Sequence, residues 1–125
     1  MKVEFLAEGS QDCPLLRLYD FEFEEAVSLR QIFVSLRDGA RDLVHLEGES
    51  GFESMGGCQL TLRLGKRDLG IVQKAKAEFD CVLTQEGWDD MACRLEPFCQ
   101  PGCSGYQWLN EDGNVSLLFS KAGQW

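Results

Sequence analysis

The stretch CQLTLRLGKRDLGIVQKAKAEFDCVL, residues 58–83, decides how the fold is read. Cys58, Leu60, Leu62 and Leu64 alternate with Gln59, Thr61 and Arg63, a two-residue period that gives a strand one apolar face. Gly65-Lys66-Arg67-Asp68 has the length of a hairpin connection. Ile71 to Gln73 and Ala77 to Leu83 supply the return and the next strand, with Phe79, Cys81 and Leu83 on one face. Strand-like runs joined by short turns, with no helical segment between them, predict antiparallel neighbours.

On the N-terminal side, Val3, Phe5 and Ala7 read as a first strand, and the run from Leu15 to Phe21 reads as a central strand covered on both faces. The spacing of Leu29, Ile32, Phe33 and Leu36, with Ala26 before them, predicts a helix over 24–38. Glu24 and Glu25 suit its first turn, Arg37 its last, and Gly39 its left-handed cap. Leu43 to Glu47 is a further strand, and Gly48 to Gly57 an acidic, glycine-rich loop.

On the C-terminal side, Thr84 is an N-cap, and Trp88, Met91, Ala92 and Leu95 make the stripe of a second helix that Pro97 limits. Asp112-Gly113 between Tyr106–Leu109 and Val115–Phe119 marks a hairpin. The resulting order, β-β-α-β-β-β-β-α-β-β, predicts an α+β fold with one largely antiparallel β-sheet carrying two α-helices. Its core should contain Leu16, Leu18, Leu29, Phe33, Leu36, Leu60, Leu62, Phe79, Leu83, Trp88, Leu95 and Leu117. No internal repeat, low-complexity tract or linker is visible, so residues 1–125 read as one domain.

Composition narrows the function classes. With 44 % hydrophobic and 26 % charged residues the chain has the make-up of a soluble globular protein. A formal charge of −9, with only twelve Lys and Arg, argues against nucleic acid and against an anionic membrane surface. Glu4 and Glu8 interrupt any signal-peptide run, and no segment approaches the ~20 apolar residues of a membrane span. A cytoplasmic location with reduced thiols is the expectation. These bounds leave a homodimer open.

Four of the six cysteines, Cys81, Cys93, Cys99 and Cys103, fall close together without any C-x-x-C pair. Cys58 and Cys81 share parity with core leucines and phenylalanine, so they read as core thiols, and Cys93 reads as a helix flank. Cys99 and Cys103 bracket Gln100-Pro101-Gly102, a type II turn that brings two thiols near each other. Those two are the redox candidates. His45, the sole histidine, alternates with Val44 and Leu46 and reads as a surface strand residue.

Serine hydrolase, Walker, Rossmann and zincin patterns are absent, and no cofactor or metal site is indicated. The leading expectation is therefore a non-enzymatic interaction or regulatory module, immunity- or inhibitor-like toward a basic protein partner. Its candidate surface is Glu47, Glu49 and Glu53 together with Tyr106 and Trp108 on one strand face. The alternative is a metal- or redox-responsive module using Cys93, Cys99 and Cys103. A third reading, an enzyme built on His45 and the Glu47/Glu49 loop, lacks a nucleophile or substrate group beside the imidazole.

Overall fold

The computed structural model describes residues 1–125. Strands β1 (Lys2–Leu6) and β2 (Leu15–Tyr19) pair antiparallel, then come helix α1 (Phe23–Arg37), β3 (Leu43–His45), the short β4 (Glu53–Ser54) and β5 (Gln59–Leu64). The remainder is β6 (Gly70–Ala75), β7 (Glu78–Leu83), α2 (Gln85–Leu95), β8 (Tyr106–Asn110) and β9 (Ser116–Ser120). The class is α+β, with two helices. No helix is long and apolar enough to cross a membrane.

The single, largely antiparallel sheet is corrected. The strands form two mixed sheets, ordered β4-β1-β2-β9-β8 and β3-β5-β7-β6. Pairs β1/β4, β2/β9 and β5/β7 run parallel. Short connections disfavour parallel pairing only between consecutive strands. Here β2 meets a strand from the far end of the chain, and β5 meets β7 with β6 sent to the outer edge.

The segment Gly65–Asp68 is accordingly no hairpin. It arches over the end of β7, where the Gly65 N–H donates to the Leu83 carbonyl and the Leu69 N–H to the Val82 carbonyl, both at 2.9 Å. The tight hairpin is β6/β7 instead. Strand β3 stops at His45, short of the expected Glu47. The Glu47 carboxylate takes the Leu60 N–H (3.1 Å) in place of a further β3 rung, and Leu46–Gly48 coils into a 3₁₀ turn. The loop 48–57 also contains β4, which extends the first sheet beyond β1.

A repeat then becomes visible in the pairing. Each half of the chain makes an antiparallel hairpin, a helix and a second antiparallel pair: β1/β2, α1, β3/β5, and β6/β7, α2, β8/β9. Each sheet joins the hairpin of one half to the second pair of the other, through β2/β9 and β7/β5. Counted from the N-caps Glu22 and Thr84, the same helix positions are buried: Ala26, Leu29, Phe33 and Leu36, and Trp88, Met91, Leu95 and Phe98. None of the four pairs is identical. A core demands apolar volume and not identity, so the repeat leaves no trace in the letters.

All twelve expected core residues are buried, within one cluster of 28 buried side chains. The helices lie against each other, with the Phe33 and Trp88 rings 5.3 Å apart between centroids. The small Ala26 and the large Trp88 occupy corresponding positions, and the indole N–H donates to the Arg63 carbonyl (3.1 Å). Thr84 caps α2 by accepting the Gly87 N–H at 3.1 Å. In urea melts Trp88→Ala should cost about 3–5 kcal/mol and Thr84→Ala about 1 kcal/mol. A Trp88→Ala protein as stable as the parent would refute this packing.

Candidate functional site

The expected acidic surface is mostly occupied by the fold itself. Glu47 holds the Leu60 N–H, and Glu49 pairs with Arg41 at 2.7 Å. Glu53 sits on β4, exposed. His45 is exposed on β3, its Nδ1 3.0 Å from the Thr61 hydroxyl, and it lines neither of the two clefts described below. These residues do not converge on one site.

Carboxylates do gather in a cleft of about 350 Å³ beside α2, lined among others by Asp68, Asp90, Arg94, Glu111 and Asp112. Three elements build it. Helix α2 presents Gly87, Asp90, Met91 and Arg94, a spacing of three, four and seven that keeps one side of a helix together. The arch before β6 supplies Asp68, whose carboxylate accepts from the Thr84 N–H (2.8 Å) and hydroxyl (2.9 Å). A Cβ on residue 87 would come within 2.5 Å of that carboxylate, so Gly87 gives Asp68 its place.

The β8/β9 turn supplies Glu111 and Asp112. It is seated on the start of β6 by an Ile71–Val115 bridge, and a Cβ at Gly113 would lie 2.4 Å from the Ile71 carbonyl oxygen. Asn110, almost fully buried, accepts the Asp112 N–H (3.0 Å) and donates to its carboxylate (3.1 Å). Leu83, Met91 and Leu109 give an apolar floor.

Four carboxylates and one guanidinium thus line the cleft. That guanidinium is committed to the backbone: Arg94 Nη1 donates to the Trp108 (3.2 Å) and Leu109 (2.9 Å) carbonyls. Asp68 and Asp112 are likewise engaged. Asp90 and Glu111 are exposed and make no ion pair within the chain. Nowhere do three His, Cys, Asp or Glu side chains converge closely enough to hold a metal ion.

Asp90 lies in the opening turns of α2, where dipole compensation accounts for an acid equally well. Its neighbour Asp89 points elsewhere, to Arg37 at 3.1 Å. Asp68, Glu111 and Asp112 looked like turn residues, and only the strand exchange brings them beside α2.

A second, apolar cleft of about 510 Å³ opens at the start of β8. Tyr106 and Trp125, 50 % and 37 % exposed, line it with Cys103, Lys121, Ala122 and Gln124. The Trp125 indole N–H is held by Asp12 (2.9 Å). No helix contributes to this cleft, and Trp108, half-buried, does not reach it.

All six thiols are free. Burial raises the pKa of Cys58 to about 11 and pushes that of Cys81 up further still. The Cys103 N–H donates to the Gln100 carbonyl (3.3 Å) and Gly102 takes φ +80°, which is the expected type II turn. Cys99 donates to the Leu95 carbonyl (3.4 Å), and burial raises its pKa as well. Thiolates are the reactive form, so an aromatic disulfide reagent at mildly alkaline pH should modify exposed Cys93 first. Cys58 and Cys81 should react only on unfolding. Native-state labelling of Cys58 as fast as Cys93, read by peptide mass, would contradict their burial. The chain matches no protein-family model, and it has no significant match among curated proteins or solved structures.

Proposed function

We propose that this chain is a non-enzymatic interaction module that takes a basic segment of a partner protein into the cleft beside α2, as an inhibitor or immunity protein does. The observation that carries this reading is the unpaired couple Asp90 and Glu111 above the floor of Leu83, Met91 and Leu109. Most other carboxylates have internal partners, among them Glu4 with Arg17, Glu22 with Lys121 and Asp80 with Arg63 and Lys74. Charge left unpaired around a concave surface is what steers and orients a partner of opposite sign. Free thiols throughout the fold suit a reducing cytoplasm.

The thiol-based alternative has less behind it. Cys99 and Cys103 pack against the core, with the Cys99 thiol held in its protonated form by burial, while Cys93 lies exposed on α2.

Exposed charges act over roughly a Debye length of ~8 Å at physiological ionic strength, so the association should weaken as salt is added. Partner affinity should fall at least tenfold, about 1.4 kcal/mol, in the Asp90→Asn/Glu111→Gln protein. The test is to isolate the bound partner at low salt and titrate it against both proteins over a salt series. An acidic partner, or one bound equally by both proteins at every salt concentration, would overturn the proposal.

A further inference from the structure

An open sheet edge presents a row of unpaired N–H and C=O groups, and proteins blunt such edges by shortness, bulges, lysines or cover. Three of the four edges of this fold are blunted in those ways. Strand β4 has two residues and β3 has three. Strand β6 is covered at its start by the Ile71–Val115 bridge to the β8/β9 turn, and further on it carries a bulge between Gln73 and Ala75 with Lys74 exposed. The fourth edge, β8, is blunted over half its length only. Its register slips between Trp108 and Asn110, and Arg94 takes the Trp108 and Leu109 carbonyls.

The other half of β8 is open. The Lys121 N–H donates to the Gly105 carbonyl (3.1 Å), which fixes the alternation: Gly105 and Gln107 face β9, and Tyr106 turns its N–H and C=O to the free edge. The same residue carries an exposed ring. Tyr106 and Trp125 are two of the three large apolar side chains that the fold leaves exposed, and both line the cleft of about 510 Å³ at this edge. In a chain of charge −9 that cleft is lined by no carboxylate. The nearby acids are already engaged, Asp12 by the Trp125 indole (2.9 Å) and Glu22 by Lys121 (3.4 Å).

We infer that a second copy of this chain pairs here, β8 against β8 in the antiparallel sense, about a two-fold axis at Tyr106. A two-fold axis makes the contact self-complementary, so the outward N–H and C=O of Tyr106 in each copy satisfy those of the other. Tyr106 then stands opposite Tyr106 of the second copy, at about 5 Å between Cβ atoms, where an aromatic pair favours association. Trp125 of each copy widens the same apolar contact. Charge selects this occupant. The basic partner proposed above is drawn to carboxylates, which this cleft lacks, whereas two chains of charge −9 meet with least repulsion where neither presents an acid. Arg94 limits the ladder to few rungs, so the dimer is a weak one, dissociating at about 10–100 µM. The inference goes beyond the basic-partner reading, whose cleft takes its residues from the other end of β8.

The test is sedimentation equilibrium of the intact protein from about 5 µM to about 1 mM, at low and high salt. The mass should rise from monomer to dimer over that range. Tyr106→Lys, which sets like charges opposite each other across the axis, should weaken the dimer at least tenfold. Leu69→Lys removes the third exposed apolar side chain, remote from the cleft lining, and should leave the dimer unchanged. Added salt should strengthen the association, because it screens the repulsion between two acidic chains, the reverse of its effect on a basic partner. In the parent protein, hydrogen exchange at the Tyr106 amide should slow as concentration rises, a reading that needs no variant. A protein still monomeric at about 1 mM would overturn the inference and leave the edge to another occupant. A dimer that survives Tyr106→Lys, is lost equally with Leu69→Lys, weakens with salt or leaves the Tyr106 amide unprotected would overturn it too. The partner titration of the preceding section judges the basic-partner reading separately.

Discussion

The two parallel ladders that cross between the halves, β2 with β9 and β7 with β5, are the constraint on which everything else depends. An unpaired strand edge leaves backbone N–H and C=O groups without partners, and burying it is costly. Neither hairpin closes its inner edge with strands of its own half. The ladders also set the core register: Leu16 meets Leu117 and Leu18 meets Phe119, while Leu60 meets Phe79 and Leu62 meets Cys81. Slippage by one residue would turn each of these side chains to the other face.

Exchange of strands also places the helices and the clefts. With each sheet half-built by either part of the chain, α1 and α2 are brought together around Phe33 and Trp88, and Phe5 of one sheet meets Phe79 of the other at 4.6 Å. The β8/β9 turn belongs to the first sheet, yet it rests on β6 of the second through Ile71 and Val115. That contact carries Glu111 and Asp112 to the side of α2. In the first half Arg41 pairs with Glu49 at 2.7 Å on the connection facing α1. Asp90 and Glu111, by contrast, make no ion pair within the chain.

Local order was legible because local periodicity is a direct consequence of burial. The stripe Leu29-Ile32-Phe33-Leu36 and the alternation Leu60-Leu62-Leu64 each follow from one apolar face, and the start of α2 was visible in its cap Thr84, whereas the cap of α1, Glu22, was not read from the sequence. Pairing between distant strands has no such local signature. Nothing in Leu15–Tyr19 says that its second neighbour is Ser116–Ser120, and Gly65–Asp68 has the composition of a hairpin turn while serving as a crossing. The site was hidden for the same reason. Glu47 and Glu49 looked available as a run of acids, but one completes a ladder and the other pairs with Arg41. Tyr106 did open onto a cleft, whereas Trp108, on the same strand, did not.

The most direct test of the exchanged architecture is to divide the chain in the crossing, giving residues 1–66 and 67–125, and to record amide spectra and sedimentation of each fragment alone and mixed. If the two halves complete each other's sheets, neither fragment folds as a monomer, and mixing at equal concentration yields one dispersed spectrum and a species of the parent's mass. A fragment that is folded and monomeric on its own, with a spectrum unchanged by its counterpart, would contradict the account.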